Sequence, residues 1–327
     1  MAKLKEYNGR YCESEYESAF IGFLEAEGWQ YSSGNDISRV SKRDVLIADD
    51  FKKFLAETNP DLTEEEVTQI FDNVRLAGAE SDFATLHKVY GWMVDGVQFT
   101  PRDGLARMIP LIDFKYLDDK NKKNKNIFRV VNQFTVEYTN NGQKETRRPD
   151  VVLFVNGIPV CIMELKNPAD ANATIYDAWE QINIRYWRDI PHLLHYCPLA
   201  CISDGVKTRL GTVRTPYEHF YAWRRVNDGD AISTLPFEET ETMIKGVYAP
   251  ERFLEIFRDY IYFQDSIYDS DEREIVCRYP QFFATRLLKQ SIVKSVVEKS
   301  GKGGTYFGAT GCGKTYTMAF LARQLAL

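Results

Sequence analysis

The chain has 327 residues, enough for two domains, and it is 44% hydrophobic and 27% charged, a balance typical of soluble globular proteins. No apolar run is long enough to span a membrane, and the N-terminus lacks the apolar core of a signal peptide. The net charge of −6 argues against a wholly basic nucleic-acid coat. The six scattered cysteines form no C-x-x-C pair, so we expect a cytoplasmic protein with reduced thiols and no structural zinc.

Helical patterns dominate the first hundred residues. Apolar residues recur at helical spacing over residues 13–27, which predicts an amphipathic helix. Two further helices are predicted at 64–77 and 82–94. Thr63 is a suitable N-cap for the first of these, because three glutamates follow it in the first turn, where the helix dipole favours negative charge.

The middle of the chain predicts an α/β arrangement. The polar run at 118–126 predicts an exposed loop, and 127–138 predicts a strand that is followed by a turn at 140–142. Beyond the central hairpin, 173–188 predicts a helix, and 198–205 predicts a short buried strand that ends at Asp-Gly. The order strand, hairpin, helix, strand indicates a mixed sheet with helices packed against it.

The hairpin RRPDVVLFVNGIPVCIMELKNP carries the most informative residues. Two runs rich in Val, Ile and Leu are joined by Asn156-Gly157, a strong hairpin signal. Asp150 begins the first strand, while Glu164 and Lys166 lie near the end of the second. Two carboxylates and an ammonium at one point suit a divalent metal and a water that attacks a phosphodiester. On spacing alone, a structural ion pair fits equally well.

Strand parity sharpens this hypothesis. Glu164 and Lys166 share a face, because alternate residues of a strand point the same way. With a plain two-residue loop, Asp150 would lie opposite Met163, and the two acids would be on different faces. A metal site therefore predicts an odd connection, such as a three-residue loop with a bulge at Gly157. Pro159 favours an irregularity, because it donates no ladder hydrogen bond.

A second motif lies at the C-terminal end, after a new helical region that begins near residues 245–265. Residues 308–315, GATGCGKT, fit the phosphate-loop pattern G-x-x-x-x-G-K-[ST], with a strand predicted at 303–307 and a helix after the loop. Lys314 would reach the β- and γ-phosphates, and Thr315 would hold magnesium. The glycines of the motif are Gly308, Gly311 and Gly313. Because a later acidic strand is needed for hydrolysis, we expect the ATPase to be incomplete within these 327 residues.

Together these segments resemble the N-terminal part of the restriction (motor) subunit of type I restriction–modification enzymes. The resemblance rests on NQFTVEY, on the hairpin segment, on RDIP, ISDG and RYPQFFA, and on GATGCGKT, and it covers nearly the whole chain. It implies an α/β fold: a PD-(D/E)xK restriction-endonuclease-like mixed sheet flanked by helices over residues 1–250. Residues 251–327 would be a linker and the start of a RecA-like, superfamily 2 helicase-like P-loop motor domain.

The resemblance also implies the activity. It implies Mg²⁺-dependent cleavage of double-stranded DNA by an enzyme that translocates DNA with ATP. The implied partners are a methyltransferase (modification) subunit and a specificity subunit, which reads the recognition sequence. We therefore expect the chain alone to cut poorly. Two alternatives stay open: a repair-type helicase-nuclease, and a non-catalytic assembly domain that docks the motor onto other subunits.

Residue roles follow from the same resemblance. Asp150 and Glu164 match the metal-binding carboxylates, and Lys166 matches the lysine that orients or polarises the attacking water. Related nucleases often add an acid from the first helix, for which Glu17 is the choice. Glu13 and Glu15 are rivals, and it is equally open that all three are solvated.

Two glutamines and a tyrosine are further candidate site residues. Related nucleases carry a Gln and a Tyr one helical turn apart, whereas Gln181 and Tyr186 are five residues apart and would share a regular helix face poorly. Either the helix is irregular or one of the two has lost its role. Gln281 resembles the adenine-reading glutamine of such motors, although a plain helix-surface residue is the alternative.

A basic surface that contacts phosphates is also expected downstream of the hairpin. Its candidate members are Arg147, Arg148, Arg185, Arg188, Lys207, Arg209, Arg214, Arg224 and Arg225.

Overall fold

A six-stranded mixed sheet forms the centre of the computed structural model, which describes residues 13–78, 80–119, 121–166, 174–232, 236–264 and 272–326. The strands in chain order are β1 (Gln30–Ser33), β2 (Val97–Phe99), β3 (Arg107–Ile109), β4 (Phe128–Asn132), β5 (Val136–Asn140), β6 (Gln143–Arg147), β7 (Val151–Val155), β8 (Ile158–Leu165), β9 (Leu199–Ser203), β10 (Thr208–Thr212), β11 (Ile261–Gln264) and β12 (Arg273–Val276). The central sheet has the order β1-β4-β7-β8-β9-β10.

Helices pack around this sheet. They are α1 (Glu13–Ala26), α2 (Ala48–Thr58), α3 (Glu64–Arg75), α4 (Asp82–Asp95), α5 (Lys115–Asp118), α6 (Ile175–Glu180), α7 (Trp187–Asp189), α8 (Pro191–Leu194), α9 (Pro236–Met243), α10 (Pro250–Asp259), α11 (Tyr279–Glu298) and α12 (Lys314–Ala326). The described residues also form two π-helices, Gln181–Tyr186 and Ile244–Tyr248, and a 3-10 turn, Tyr217–His219. Among the described residues, none of the helices is both long and apolar enough to cross a membrane.

The central sheet contains both parallel and antiparallel pairs of neighbouring strands. β1 runs parallel to β4 and β8 runs parallel to β9, while the other neighbours are antiparallel. Every residue of β7, β8 and β9 is buried, as expected for central strands that are covered on both faces. A charged side chain in such a strand is costly unless something compensates it, which makes Glu164 of β8 conspicuous. The predicted mixed α/β sheet flanked by helices is confirmed.

The predicted N-terminal helices are confirmed as α1, α3 and α4. Thr63 caps α3 through a capping box: its hydroxyl accepts a hydrogen bond from the Glu66 N–H, and its own N–H donates to Glu66 Oε2 at 2.8 Å. Helix α2 was not predicted from the sequence. It is held to the sheet by a bidentate ion pair in which Arg129 Nε lies 2.6 Å from Asp50 Oδ2.

The prediction of a single strand over 127–138 is wrong, because β4 ends immediately before Gln133 and a second strand begins after it. This residue has φ = 53°, a left-handed conformation that ends β4 and starts a new direction. β5 then leaves the central sheet and, among the described strands, pairs with β6 in a separate two-stranded ribbon. The predicted turn at 140–142 is confirmed at the tip of this ribbon.

The strand predicted at 303–307 is also wrong. These residues have no regular secondary structure, and residues 301–305 are exposed. A strand in this position would need neighbours to accept its ladder hydrogen bonds, and no described strand lies beside it.

The C-terminal helices pack on the same core as the sheet. The Trp29 indole N–H donates to the Tyr248 carbonyl at 2.7 Å, and its ring lies 5.5 Å from that of Phe253 in α10. One buried hydrophobic cluster runs from Tyr16 to Phe320. The domain boundary at residue 250 stays a prediction.

Candidate active site

The turn between β7 and β8 differs from the predicted three-residue loop. Val155 pairs with Ile158, so the loop has two residues. Asn156 (φ = 52°) and Gly157 (φ = 75°) are both left-handed, which is the conformation of a type I′ turn. One reason is local, because Asn-Gly favours this turn. The other is tertiary, because a Cβ at Gly157 would clash with the Ile47 carbonyl oxygen.

The odd count that the metal-site hypothesis requires lies one step further along, in β8. Phe154 pairs with Pro159 and Leu153 pairs with Cys161, so Val160 is an extra residue on one strand, a β-bulge. Pro159 precedes the bulge, as its missing N–H favours. With Val151 opposite Met163, the same register brings Asp150 opposite Glu164. The two acids therefore meet on one face.

The two carboxylates differ in their surroundings. Glu164 is fully buried and accepts two short hydrogen bonds, from the Tyr186 hydroxyl to Oε1 at 2.6 Å and from Gln181 Nε2 to Oε2 at 2.6 Å. Asp150 Oδ2 accepts the Leu165 N–H at 2.8 Å. Burial, followed by the nearby charge of Asp150, raises the pKa of Glu164 well above its usual value. Burial also raises the pKa of Asp150.

Lys166 lies on the same side as Glu164, as strand parity predicts. Its Nζ is 3.9 Å from Glu164 Oε2 and donates to Gln181 Oε1 at 2.8 Å. Gln181 thus connects the ammonium to the carboxylate, since its amide oxygen accepts from one and its amide nitrogen donates to the other. The side chain of Lys166 is 15% exposed, enough to reach a ligand at the surface of the site.

An irregular helix explains the five-residue spacing of Gln181 and Tyr186. Residues Gln181–Tyr186 form a π-helix between α6 and α7. Residues five apart face the same way in this geometry, because its hydrogen bonds join residue i to i+5. Gln181 Nε2 lies 2.7 Å from the Tyr186 hydroxyl, and both side chains reach Glu164. Of the two alternatives left open by the sequence, the structure shows the irregular helix.

Glu17 is the first-helix acid that the fold brings near the pair. It is only 9% exposed, while Glu15 is exposed and the side chain of Glu13 lies outside the described part of the chain. The charge of Glu17 contributes to the raised pKa of Asp150. The alternative that this acid is solvated is therefore wrong for Glu17.

Two residues beside this acid were missed from the sequence. Asn132 Nδ2 donates to Glu17 Oε1 at 2.7 Å, and Gln133 Nε2 donates to Glu17 Oε2 at 2.6 Å. The Gln133 backbone N–H also donates to the Asp150 carbonyl at 2.9 Å. The sequence contains the Asn-Gln pair, but nothing in it indicates the left-handed bend that aims both amides at one carboxylate.

Many of the expected phosphate-contacting residues already have partners inside the protein. Arg147 and Arg188 both pair with Asp189, at 2.6 and 2.7 Å, and Arg185 pairs with Glu180 at 3.1 Å. Arg214 lies over two aromatic rings and Arg209 over one. The exposed residues of the set are Arg148, Lys207 and Arg224, together with Arg185 and Arg188, which stay exposed in spite of their ion pairs.

The phosphate-loop motif lies before α12, which begins at Lys314. Gly311 and Gly313 have φ values of 80° and 79°, which other residues rarely adopt. Lys314 Nζ donates to the Gly308 and Ala309 carbonyls at 2.7 and 3.0 Å, while Thr315 is exposed.

Gln281 is not a plain surface residue. It is 5% exposed, and its Nε2 donates to the Gly313 carbonyl at 3.2 Å. Its Oε1 accepts the Arg278 N–H at 2.8 Å, so the side chain joins the start of α11 to the loop.

Cysteine and histidine side chains are not among the described contacts of Asp150, Glu164 and Lys166. In the part of the chain that the structure describes, no three His, Cys, Asp or Glu side chains converge closely enough to hold a metal by themselves. The five described cysteines are free thiols. The donors available at the candidate site are thus carboxylate oxygens.

Comparison with known proteins agrees with this arrangement. Residues 10–219 match the family described as type I restriction enzyme R protein N terminus (HSDR_N). The chain belongs to this family. It is 29% identical over 337 aligned positions to the Methanocaldococcus jannaschii protein named putative type I restriction enzyme MjaIXP endonuclease subunit, covering 94% of this chain and 31% of that protein. It is 27% identical over 330 residues to the type I restriction enzyme HindI endonuclease subunit of Haemophilus influenzae, covering 96% of this chain and 30% of that protein. The chain spans about a third of the length of these curated relatives.

Proposed function

We propose that Asp150, Glu164 and Lys166 form a nuclease centre that hydrolyses phosphodiester bonds of double-stranded DNA with the help of Mg²⁺. The observation that carries this proposal is the β-bulge at Val160, which brings two carboxylates onto one face of otherwise apolar central strands. Family membership supports it, because the relatives are named endonuclease subunits.

The donor set fits magnesium. The site offers oxygen ligands, and Mg²⁺ takes few protein carboxylates while it keeps several waters. Two acids that repel one another in a buried place have raised pKa values, and a divalent cation would offset that repulsion. Asp150 and Glu164 would hold the ion, which supplies Lewis-acid stabilisation of charge on the phosphate oxygens.

The surrounding side chains orient the reacting groups. Tyr186 and Gln181 fix the two oxygens of Glu164, each with a hydrogen bond of 2.6 Å. Gln181 also holds the Lys166 ammonium within 3.9 Å of the carboxylate. From this place Lys166 would donate a hydrogen bond to the attacking water or to a phosphate oxygen, and so orient it for in-line attack.

Nucleotide binding is proposed for residues 308–315. The support is the complete motif, the left-handed Gly311 and Gly313, and the position of Lys314 at the start of α12, where backbone N–H groups favour phosphate. In this proposal, ATP binding belongs to a DNA-translocating assembly with methyltransferase and specificity subunits. Gln281 is proposed to contact the adenine, although its amide now bonds the loop itself.

A plasmid assay tests the nuclease centre. With Mg²⁺, the chain is expected to nick or cut plasmid DNA slowly, and Asp150→Ala is expected to lower the rate by about 100-fold or more, because a metal ligand is lost. The Lys144→Ala chain is the control, since Lys144 is 77% exposed on the ribbon and should leave the rate unchanged. Equal cutting by the wild type and Asp150→Ala would remove Asp150 from the centre. An absence of cutting with either would favour the non-catalytic assembly domain.

A further inference from the structure

Among the residues that the structure describes, the buried carboxylate of Glu17 has no cation beside it. Within the described residues no lysine, arginine or histidine forms an ion pair with it, and its two oxygens are satisfied by neutral amides alone. A buried charge of this kind is costly unless a partner compensates it. Asp150 is close enough for the charge of Glu17 to raise its pKa, so these two carboxylates repel one another. The arrangement thus favours a positive ion at the Asp150–Glu164 pair, with Glu17 outside its direct ligands.

The amides that hold Glu17 are themselves fixed. The Tyr31 hydroxyl donates to Asn132 Oδ1 at 3.1 Å, so Asn132 presents its NH₂ group to Glu17. Gln133 is held by its backbone, because its N–H donates to the Asp150 carbonyl at 2.9 Å. A Cβ on Gly34 would lie 2.6 to 2.8 Å from backbone atoms of Asn132 and Gln133, so the neighbouring chain packs closely against the bend.

Gln133 has a left-handed backbone conformation. At a residue other than glycine this conformation is strained, and it persists only where the surrounding structure enforces it. At Gln133 it serves two contacts at once. The backbone N–H reaches Asp150, immediately before β7, and the side chain reaches Glu17 in α1. One residue therefore fixes the distance between two acids that would otherwise repel each other.

We propose that Asn132 and Gln133 are positioning residues, an amide clamp that holds the Glu17 carboxylate beside Asp150 as an outer negative charge of the divalent-ion site. The inference rests on the proposed nuclease centre. Each Glu17 oxygen already accepts one amide hydrogen bond, so Glu17 would act on the ion through its charge, while Asp150 and Glu164 would supply the direct ligands. Without the clamp, repulsion would move Glu17 away and weaken cation binding.

Calorimetric titration of the full chain with Mg²⁺ tests the clamp without any need for turnover. Gln133→Gly is the decisive variant, because glycine keeps the left-handed backbone and its N–H while removing the amide side chain. We expect Gln133→Gly and Glu17→Gln each to weaken Mg²⁺ binding by about three- to tenfold. The double variant is expected to bind no more weakly than either single one, since both remove the same charge from the site. The melting temperature of Gln133→Gly should stay close to that of the wild type.

The outcomes separate the clamp from the nuclease centre. If the wild type and Asp150→Asn bind Mg²⁺ equally, or neither binds it, the proposed metal site fails and the clamp fails with it. If Asp150→Asn abolishes binding but Gln133→Gly binds like the wild type, the clamp alone is overturned. Additive losses in the double variant would also overturn it, because the two side chains would then act independently. So would a loss of affinity that occurs only together with a large drop in melting temperature, which indicates a structural role.

Discussion

At the scale of single residues, the paired acids make a prediction about pH. Asp150 and Glu164 have raised pKa values, so the folded chain holds protons that the unfolded chain releases above about pH 4. When the folded state binds more protons, the free energy of unfolding falls as pH rises. Without metal, this pair should therefore destabilise the chain progressively from about pH 4 to the raised pKa values of the pair.

The substitution Asp150→Asn should reduce this loss of stability at high pH. The asparagine oxygen keeps the hydrogen bond from the Leu165 N–H, and its NH₂ group would face Glu164 as a donor. We expect a melting temperature at pH 8 higher by roughly 2 °C, corresponding to about 1 kcal/mol, in thermal melts with a chelator. The advantage should disappear at pH 4. A variant that is less stable than the wild type at pH 8 would contradict the repulsion between these acids.

The sequence predicts residues well when they lie close together in the chain. Asp150, Glu164 and Lys166 belong to one hairpin, so strand parity alone relates their faces. Asn132 and Gln133 were missed because their role depends on a left-handed φ at a glutamine, which no local pattern indicates. The contact to Glu17 then joins residues more than one hundred positions apart.

At the scale of elements, the π-helix Gln181–Tyr186 accommodates one residue more than a regular α-helical turn would. Gln181 and Tyr186 both reach Glu164 through it. Deleting the half-exposed Ile184 should convert this turn to a regular α-helix and leave the two side chains four residues apart, still on one face. We expect melting temperature and plasmid cleavage close to those of the wild type.

Deletion of Lys88 from the regular helix α4 is the matched control. It should rotate the following buried residues, among them Tyr90 and Met93, by about 100° out of the core. The melting temperature should then fall by many degrees. If the Ile184 deletion is as damaging as the Lys88 deletion, the π-helix does not hold a removable residue.

The hairpin shows how far an element can be predicted. Parity requires one extra residue between Asp150 and Glu164, and the structure has one. The predicted position of this extra residue, in the loop at Gly157, was wrong. Asn-Gly suits a two-residue type I′ turn, and Gly157 packs against Ile47. The bulge forms beside Pro159 instead. Turn chemistry is local, whereas the position of a bulge depends on packing from both neighbouring strands.

At the scale of the whole molecule, the order of helices and strands along the chain was easier to predict than which strands pair with each other. The mixed sheet follows from alternating strands and helices, but strand order requires knowledge of distant pairings such as β1 with β4. The failed strand at 303–307 illustrates this limit, because a strand-like sequence forms no strand without a neighbour. The central acids were predictable since the hairpin that carries them is also the centre of the sheet.

The most direct test of the central claim is anomalous diffraction from crystals of the chain grown with Mn²⁺, an oxygen-preferring substitute for Mg²⁺. The arrangement predicts one strong anomalous peak between the Asp150 and Glu164 carboxylates, with Lys166 on the same side, and no peak there in Asp150→Asn. A saturating concentration of Mn²⁺ that leaves no peak between these carboxylates, or an equal peak in Asp150→Asn, would contradict a divalent-ion site at the centre of this sheet.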